Sequence, residues 1–263
     1  MKSQYEPLDL RNALPWMEGG AKDVLRRCLD TLLSLDVVRS NFADAALAEG
    51  EAFANAVRQF GLEIQVHGPD LPASGALCVF ANHPFGGADA ISLGAVCSAQ
   101  RPDSLLLANQ LATELPGVGQ RMLPLSILGG QRSISNNAGT MRRAFAHLKH
   151  GGCLLAFPSG EVARRTTGQE VKEGSWSPHL PLIALKTGAT VVPAGFQGAA
   201  PDWFHALGKI HPLFRTALIP KVLSKQNGKK ISLRFGQPLR LDDDKTPLEL
   251  STMLRAEALL LAV

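Results

Sequence analysis

The sequence predicts an α/β fold, with a mixed, largely parallel sheet flanked by helices and an N-terminal helical extension. Three observations carry this. After Gly61, short β-type apolar runs alternate with stretches of helical period. Before Gly61, apolar residues recur at three- and four-residue steps instead. The 263 residues show no internal repeat, low-complexity tract or linker, which suits one large domain with a small extension. The expected division is 1–61 for the extension and 62–263 for the α/β domain.

Within the extension, Val24, Leu25, Cys28, Leu29, Leu32 and Leu33 form one face of a helix expected over Lys22 to Leu35. Asp23, Arg26, Arg27, Asp30 and Thr31 fall on the other face. A second, alanine-rich helix is expected from Ala43 to Phe60, stopped by Gly61. Both helices pack on the domain behind them, or one lies on a membrane surface.

In the domain, Glu63 to His67 and Ala76 to Ala81 read as strands, followed by a helix from about Ala88 to Ala99 and a short strand from Leu105 to Ala108. A helix from Asn137 to His150 leads through Gly151-Gly152 into a strand from Cys153 to Phe157. A helix near Pro181 to Thr187 precedes a strand from Thr190 to Phe196, and a late strand runs from Ile231 to Phe235. Between Trp203 and Leu241 lie eight Lys or Arg residues and no acid, with Leu213, Phe214, Leu218, Ile219 and Val222 interleaved. Such a run is a solvated face or a surface that meets anionic lipid.

A hydrophobic fraction of 45% and a charged fraction of 19% exclude disorder. A net charge of +4, with a pI near 9.0, favours anionic partners: phospholipid surfaces, phosphorylated cofactors, acidic carrier proteins or nucleic acid. Cys28, Cys78, Cys97 and Cys153 each lie in an apolar run with no C-x-x-C spacing. They read as reduced, buried small hydrophobes in a reducing compartment, not as a zinc site. No signal peptide opens the chain, and no window is apolar enough to span a bilayer. The expected location is cytoplasmic, peripheral on the inner face of the membrane if the protein works on lipid.

The chemistry concentrates in Phe80-Ala81-Asn82-His83-Pro84-Phe85-Gly86-Gly87-Ala88-Asp89-Ala90. This segment leaves a strand and enters a helix, so His83 sits at a strand's carboxyl end, where open α/β sheets place their sites. Gly86 and Gly87 let the chain fold back and bring Asp89 to His83. The pair is then half of a catalytic triad: Asp89 fixes the imidazole tautomer, and His83 takes a proton as general base. If the substrate's own hydroxyl attacks, no enzyme nucleophile is needed. The plainer alternative is a glycine turn with an incidental histidine.

This segment resembles the signature of the glycerophospholipid and lysophospholipid acyltransferase family (PlsC-like). The family has four residues between His and Asp, and here there are five, Pro84 to Ala88. The His-Pro-Phe-Gly-Gly-x-Asp form is similar to the hemolysin-like branch, related to acyltransferases that make ornithine and other amino-acid-containing lipids. Leu154-Leu155-Ala156-Phe157-Pro158-Ser159-Gly160-Glu161-Val162 resembles the family's Phe-Pro-Glu-Gly-Thr-Arg block, with Ser159 in place of Glu and Val162 in place of Arg. Thr190 to Phe196 resembles the family's strand ending in Val-Pro, and Gly129-Gly130-Gln131-Arg132 loosely resembles its middle block.

The resemblance implies an O-acyltransferase that moves a fatty acyl chain from acyl-carrier protein or acyl-CoA to the hydroxyl of a lysophospholipid or lyso-aminolipid. It implies His83 and Asp89 as catalytic residues. Asn82, Gly86, Gly87, Arg132, Phe157, Pro158, Ser159, Gly160, Glu161, Arg164 and Arg165 are then expected to bind substrate. Amides of the glycine loop or near Gly160 would stabilise the oxyanion. No metal or redox cofactor is implied. The expected partners are the acyl donor, a lipid acceptor and an anionic membrane surface.

The rival readings are weaker. Ser159 lies in Pro-Ser-Gly and not in a Gly-x-Ser-x-Gly elbow, against a serine-type lipid esterase. No phosphate-binding glycine motif precedes a helix, against a nucleotide enzyme. A non-catalytic lipid-binding or carrier-interacting module would not need the His83 and Asp89 pair. Nucleic-acid binding has only the basic run in its favour. The other six histidines lack an acid at turn spacing, although His179 and His205 are candidates to line the acceptor site.

Overall fold

The computed structural model describes residues 7–13, 19–126, 131–165, 171–208 and 212–263, with the backbone alone described at 12–13, 131–135, 207–208 and 212–216. In chain order the helical start comprises α1 (Leu10–Ala13), α2 (Ala21–Leu33), α3 (Leu35–Leu47) and α4 (Ala52–Gln59). Then follow β1 (Glu63–His67), β2 (Leu77–Ala81), α5 (Gly87–Gln100), β3 (Leu105–Asn109) and, after two short 3₁₀ turns, β4 (Met122–Leu125). α6 (Gln131–Lys149), β5 (Cys153–Ala156), a two-residue hairpin β6 (Arg164–Arg165) and β7 (Val171–Lys172), α7 (His179–Thr187) and β8 (Thr190–Phe196) come next. The chain closes with α8 (Asp202–Gly208), α9 (Pro212–Ser224), β9 (Lys230–Phe235) and α10 (Pro247–Leu261).

Seven strands form one sheet in the order β1-β9-β8-β2-β5-β3-β4. Every neighbouring pair in it is parallel except β8 with β9. The expected mixed, largely parallel α/β sheet is what forms. β2 is central, in register with β5 on one side and β8 on the other, and all five of its residues are buried. Its alternation sorts them: Leu77, Val79 and Ala81 face a core shared with α3, α4 and α5, whereas Cys78 and Phe80 face one shared with α6, α7 and α10. Two apolar layers on one sheet are the reason β2 reads as a continuous hydrophobic run.

Several expectations need correction. The single helix expected from Ala43 to Phe60 is two. α3 ends where Ala48 turns extended and Gly50 takes φ 109°, and α4 restarts under a cap in which the Glu51 carboxylate accepts from Ala54 N–H at 2.8 Å. The helix expected over Lys22 to Leu35 stops at Leu33, because Ser34 adopts the left-handed conformation. Its apolar face packs inward only in part: Leu33 joins the core that holds Leu218 and Val222 of α9. Val24, Leu25 and Leu32 are 63%, 47% and 56% exposed, and Cys28 is exposed rather than buried. The polar face also holds α2 in place: Asp30 accepts from Arg39 at 3.1 Å and pairs with Arg26 at 3.4 Å.

Within the basic run, Leu218 and Val222 on α9 are buried against Phe204, Ala200 and Val162, so these two apolar residues serve an internal core. Leu213 and Phe214 lie among the residues with backbone only. α10 lies beyond the last element expected from the sequence and starts under a capping box: the Thr246 hydroxyl accepts from Glu249 N–H while the Glu249 carboxylate accepts from Thr246 N–H. Leu250, Leu254 and Ala258 then fall on its buried face.

Candidate active site

β2 and β5 are parallel neighbours with Phe80 opposite Ala156, so the segments that leave their carboxyl ends emerge side by side. One begins Asn82-His83 and the other Phe157-Pro158. The rings of His83 and Phe157 stack with centroids 4.1 Å apart. The main chain of His83 is tied at both ends: its N–H donates to the Glu173 carboxylate at 3.2 Å, and its carbonyl accepts from Ala163 N–H at 2.8 Å.

The longer loop from His83 to Asp89 closes. Gly86 takes φ 85°, a left-handed conformation favouring glycine, and serves as the N-cap of α5. A Cβ there would stand 3.2 Å from Val162 Cγ2 and 3.4 Å from Ile219, so the glycine also makes room for α9. Asp89 falls on the third residue of α5, where an anion is favoured by the helix dipole. It is fully buried and accepts from Phe85 N–H at 2.9 Å and Ala90 N–H at 3.1 Å. His83 Nδ1 lies 3.2 Å from Asp89 Oδ2, an ionic contact within hydrogen-bond distance. Burial would push the imidazole pKa down, but the Asp89 charge and hydrogen bond, helped by Glu173, hold it above the ordinary value.

The His83 side chain keeps 14% of its surface, and this opens on a cavity of about 490 Å³. Its wall carries the polar His83, Asn109, Ser159, Glu161 and Arg164 and is otherwise largely apolar, with Leu106, Leu107, Ala108, Ala112, Leu125 and Ala156. With Nδ1 committed to Asp89, Nε2 is the nitrogen left to take a proton from a group bound there.

Of the residues expected to bind substrate, the structure gathers Gly86, Gly87, Phe157, Ser159, Gly160, Glu161 and Arg164 around His83 on the cavity wall. Asn82 is turned away. Its amide donates to Phe196 carbonyl at 3.0 Å and accepts from Phe196 N–H at 2.6 Å, joining the end of β2 to that of β8. Pro158 is buried outside the lining, its carbonyl accepting from Ser177 N–H at 2.9 Å. Arg165 pairs with Asp202 at 2.8 Å, outside the lining. Arg132 lies in the first turn of α6 with its side chain outside the described residues, as Gly129 and Gly130 are entirely. Glu161 and Arg164 form an ion pair. The Ser159 hydroxyl donates to Glu161 carbonyl at 2.9 Å and leans on Glu173, so it is not presented to a base as a hydrolase nucleophile would be. The Gly160 amide is spent on Phe157 carbonyl at 3.0 Å. His179 is exposed and His205 buried, neither on the cavity wall. Glu173 is the site residue that sequence reasoning missed. It stands ten or more residues beyond the second block, and no spacing rule ties it to His83.

A family model described as acyltransferase matches residues 17–257. The chain belongs to the acyltransferase family. It is 28% identical over 213 residues to a lyso-glycine lipid O-acyltransferase of Phocaeicola vulgatus, covering 76% of this chain and 74% of that protein. A lyso-glycine lipid O-acyltransferase of Bacteroides thetaiotaomicron is 25% identical over 217 residues, covering 76% of each chain. The crystal structure of the 1-acyl-sn-glycerophosphate acyltransferase PlsC from Thermotoga maritima superposes with a TM-score of 0.50 at 18% identity, over 86% of this chain and 79% of that one. The acyltransferase thus has a PlsC-like fold.

Proposed function

We propose that this acyltransferase transfers a fatty acyl chain from a thioester donor, acyl-carrier protein or acyl-CoA, to the hydroxyl of a lyso-aminolipid or lysophospholipid. The observation that carries the reading is the His83–Asp89 pair on the wall of a largely apolar cavity. The acyl chain occupies the apolar part. His83 Nε2 takes the acceptor's hydroxyl proton as the oxygen attacks the thioester carbonyl, and the opening amides of α5 receive the oxyanion. Collapse of the tetrahedral intermediate expels the thiolate, which takes the proton from the imidazolium. Ester and free thiol result.

The head group of the acceptor is set by the polar residues of the wall. Glu161 and Arg164 neutralise one another there, so among the described lining residues a dianionic phosphate meets no unopposed cation. The pair is partly exposed, and such pairs are worth about 0.2–1 kcal/mol, so a head group carrying its own acceptor and donor opens it at little cost. That favours an amino-acid head group, in keeping with relatives named for lyso-glycine lipid. Wild-type enzyme given one acyl donor and equal amounts of a lyso-aminolipid and lysophosphatidic acid should acylate the former at least as fast, as read by lipid mass spectrometry. A strong preference for lysophosphatidic acid contradicts the head-group assignment, and no ester product from either acceptor contradicts acyl transfer.

The enzyme is also read as peripheral on an anionic membrane. Among the described residues no helix is long and apolar enough to cross a bilayer. α2 packs against α9, which supplies Ile219 to the cavity wall, and carries the exposed Val24, Leu25 and Leu32.

A further inference from the structure

Glu173 is a charged side chain where charge is expensive. Only 5% of it is exposed, and burial raises its pKa, against the opposing pull of Ser159, His83 N–H and the Trp176 indole. Both carboxylate oxygens are spoken for: one accepts His83 N–H at 3.2 Å, the other Trp176 Nε1–H at 3.2 Å. Two N–H donors suit a carboxylate, which only accepts, and do not suit an amide. The segment is fixed from behind as well. Arg255 of α10 donates to the carbonyls of Gly174 at 2.8 Å and Glu173 at 2.5 Å. Gly174 passes so close to the second block that a Cβ would lie 3.0 Å from Glu161 Oε1.

We infer that Glu173 is a positioning residue of the site, its carboxylate anchoring the main chain of His83 and placing a second negative charge beside the imidazole in addition to that of Asp89. The inference rests on the acyl-transfer reading above. The charges that bear on His83 are those of Asp89 from α5 and Glu173 from the segment after β7. The Lys229 ammonium, ahead of β9, sits 4.0 Å from the Phe85 ring centroid and feels the Asp89 charge, and Glu161 and Arg164 on the cavity wall pair with each other. Phe157, after β5, presents only its ring. The two carboxylates favour the imidazolium that forms as the hydroxyl proton leaves. Removing the Glu173 charge therefore leaves burial less opposed and lowers the His83 pKa.

The test compares wild type, Glu173→Gln, Glu173→Asp and His83→Ala. In Glu173→Gln, turnover should fall about tenfold with KM for donor and acceptor little changed, because the group touches neither. The acid limb of kcat/KM should move to lower pH. Carbon-13 histidine NMR reads the same shift without turnover: the chain has seven histidines, and the His83 signal is the one missing from His83→Ala. Its titration midpoint should fall in Glu173→Gln and stay nearer wild type in Glu173→Asp, which keeps the charge. A merely structural role lowers the melting temperature and leaves the midpoint alone. Folded Glu173→Gln with wild-type turnover and midpoint overturns the inference. If that variant does not fold, Glu173→Asp decides: its shorter side chain loses His83 N–H, so turnover should drop several-fold, and unchanged turnover overturns the inference. Activity retained in His83→Ala would instead overturn the acyl-transfer mechanism itself.

Discussion

At His83 two opposed effects meet. Burial in the cavity wall disfavours the imidazolium, and the fully buried Asp89 carboxylate 3.2 Å away favours it; the carboxylate wins, since the pKa lies above the ordinary value. A base must be deprotonated to act, so kcat/KM should rise with pH through that raised pKa, with its midpoint above the roughly 6.5 of a free imidazole. Asp89→Asn leaves the burial and removes the charge, so the midpoint should shift to lower pH. The maximal rate should fall by on the order of a hundredfold, because the tautomer is no longer fixed. A pH–rate profile for both proteins checks this, and an unmoved limb would show that Asp89 does not act on His83. This part of the site was legible in the sequence, since histidine, glycines and acid sit within one turn. Asn82 was adjacent in sequence but is consumed by Phe196, and no local signal shows which way an amide points.

At the scale of single elements, periodicity located β1, β2, β3, β5, β8 and β9 and the body of α5, because their apolar runs are local. It found the amphipathic face of α2 and left two directions open for it, against the domain or on a membrane surface. Hydrophobic period says which residues share a face, not whether that face turns inward, and here Asp30 and Arg39 tie the polar side to the protein. The breaks at Ser34 and Ala48 to Gly50 are backbone choices imposed by packing, which residue propensity does not show. The outward face has a consequence. The protein should bind anionic vesicles, less so as salt rises, each basic residue near the surface adding about 1 kcal/mol. Leu25→Glu with Leu32→Glu should weaken that binding while leaving the melting temperature close to wild type, since both side chains are exposed. Vesicle co-sedimentation measures it; binding unaffected by these changes would remove α2 from the contact.

Across the whole molecule, the site exists because parallel pairing of β2 with β5, Phe80 opposite Ala156, brings two segments far apart in sequence to the carboxyl ends of neighbouring strands. Each block was visible alone, but their juxtaposition is a property of strand order. Glu173 reaches His83 from a segment that Arg255 of the final helix also holds. The account's central claim is that His83 is the base for acyl transfer to a lipid hydroxyl. The direct measurement is ester formation by purified wild-type and His83→Ala protein, each with an acyl thioester and a lyso-aminolipid, followed by mass spectrometry and thiol release. Wild type should yield one ester per thiol released, and His83→Ala, folded as judged by its melting temperature, should be slower by about a hundredfold or more. Ester formation by the folded His83→Ala protein at close to the wild-type rate would contradict the claim.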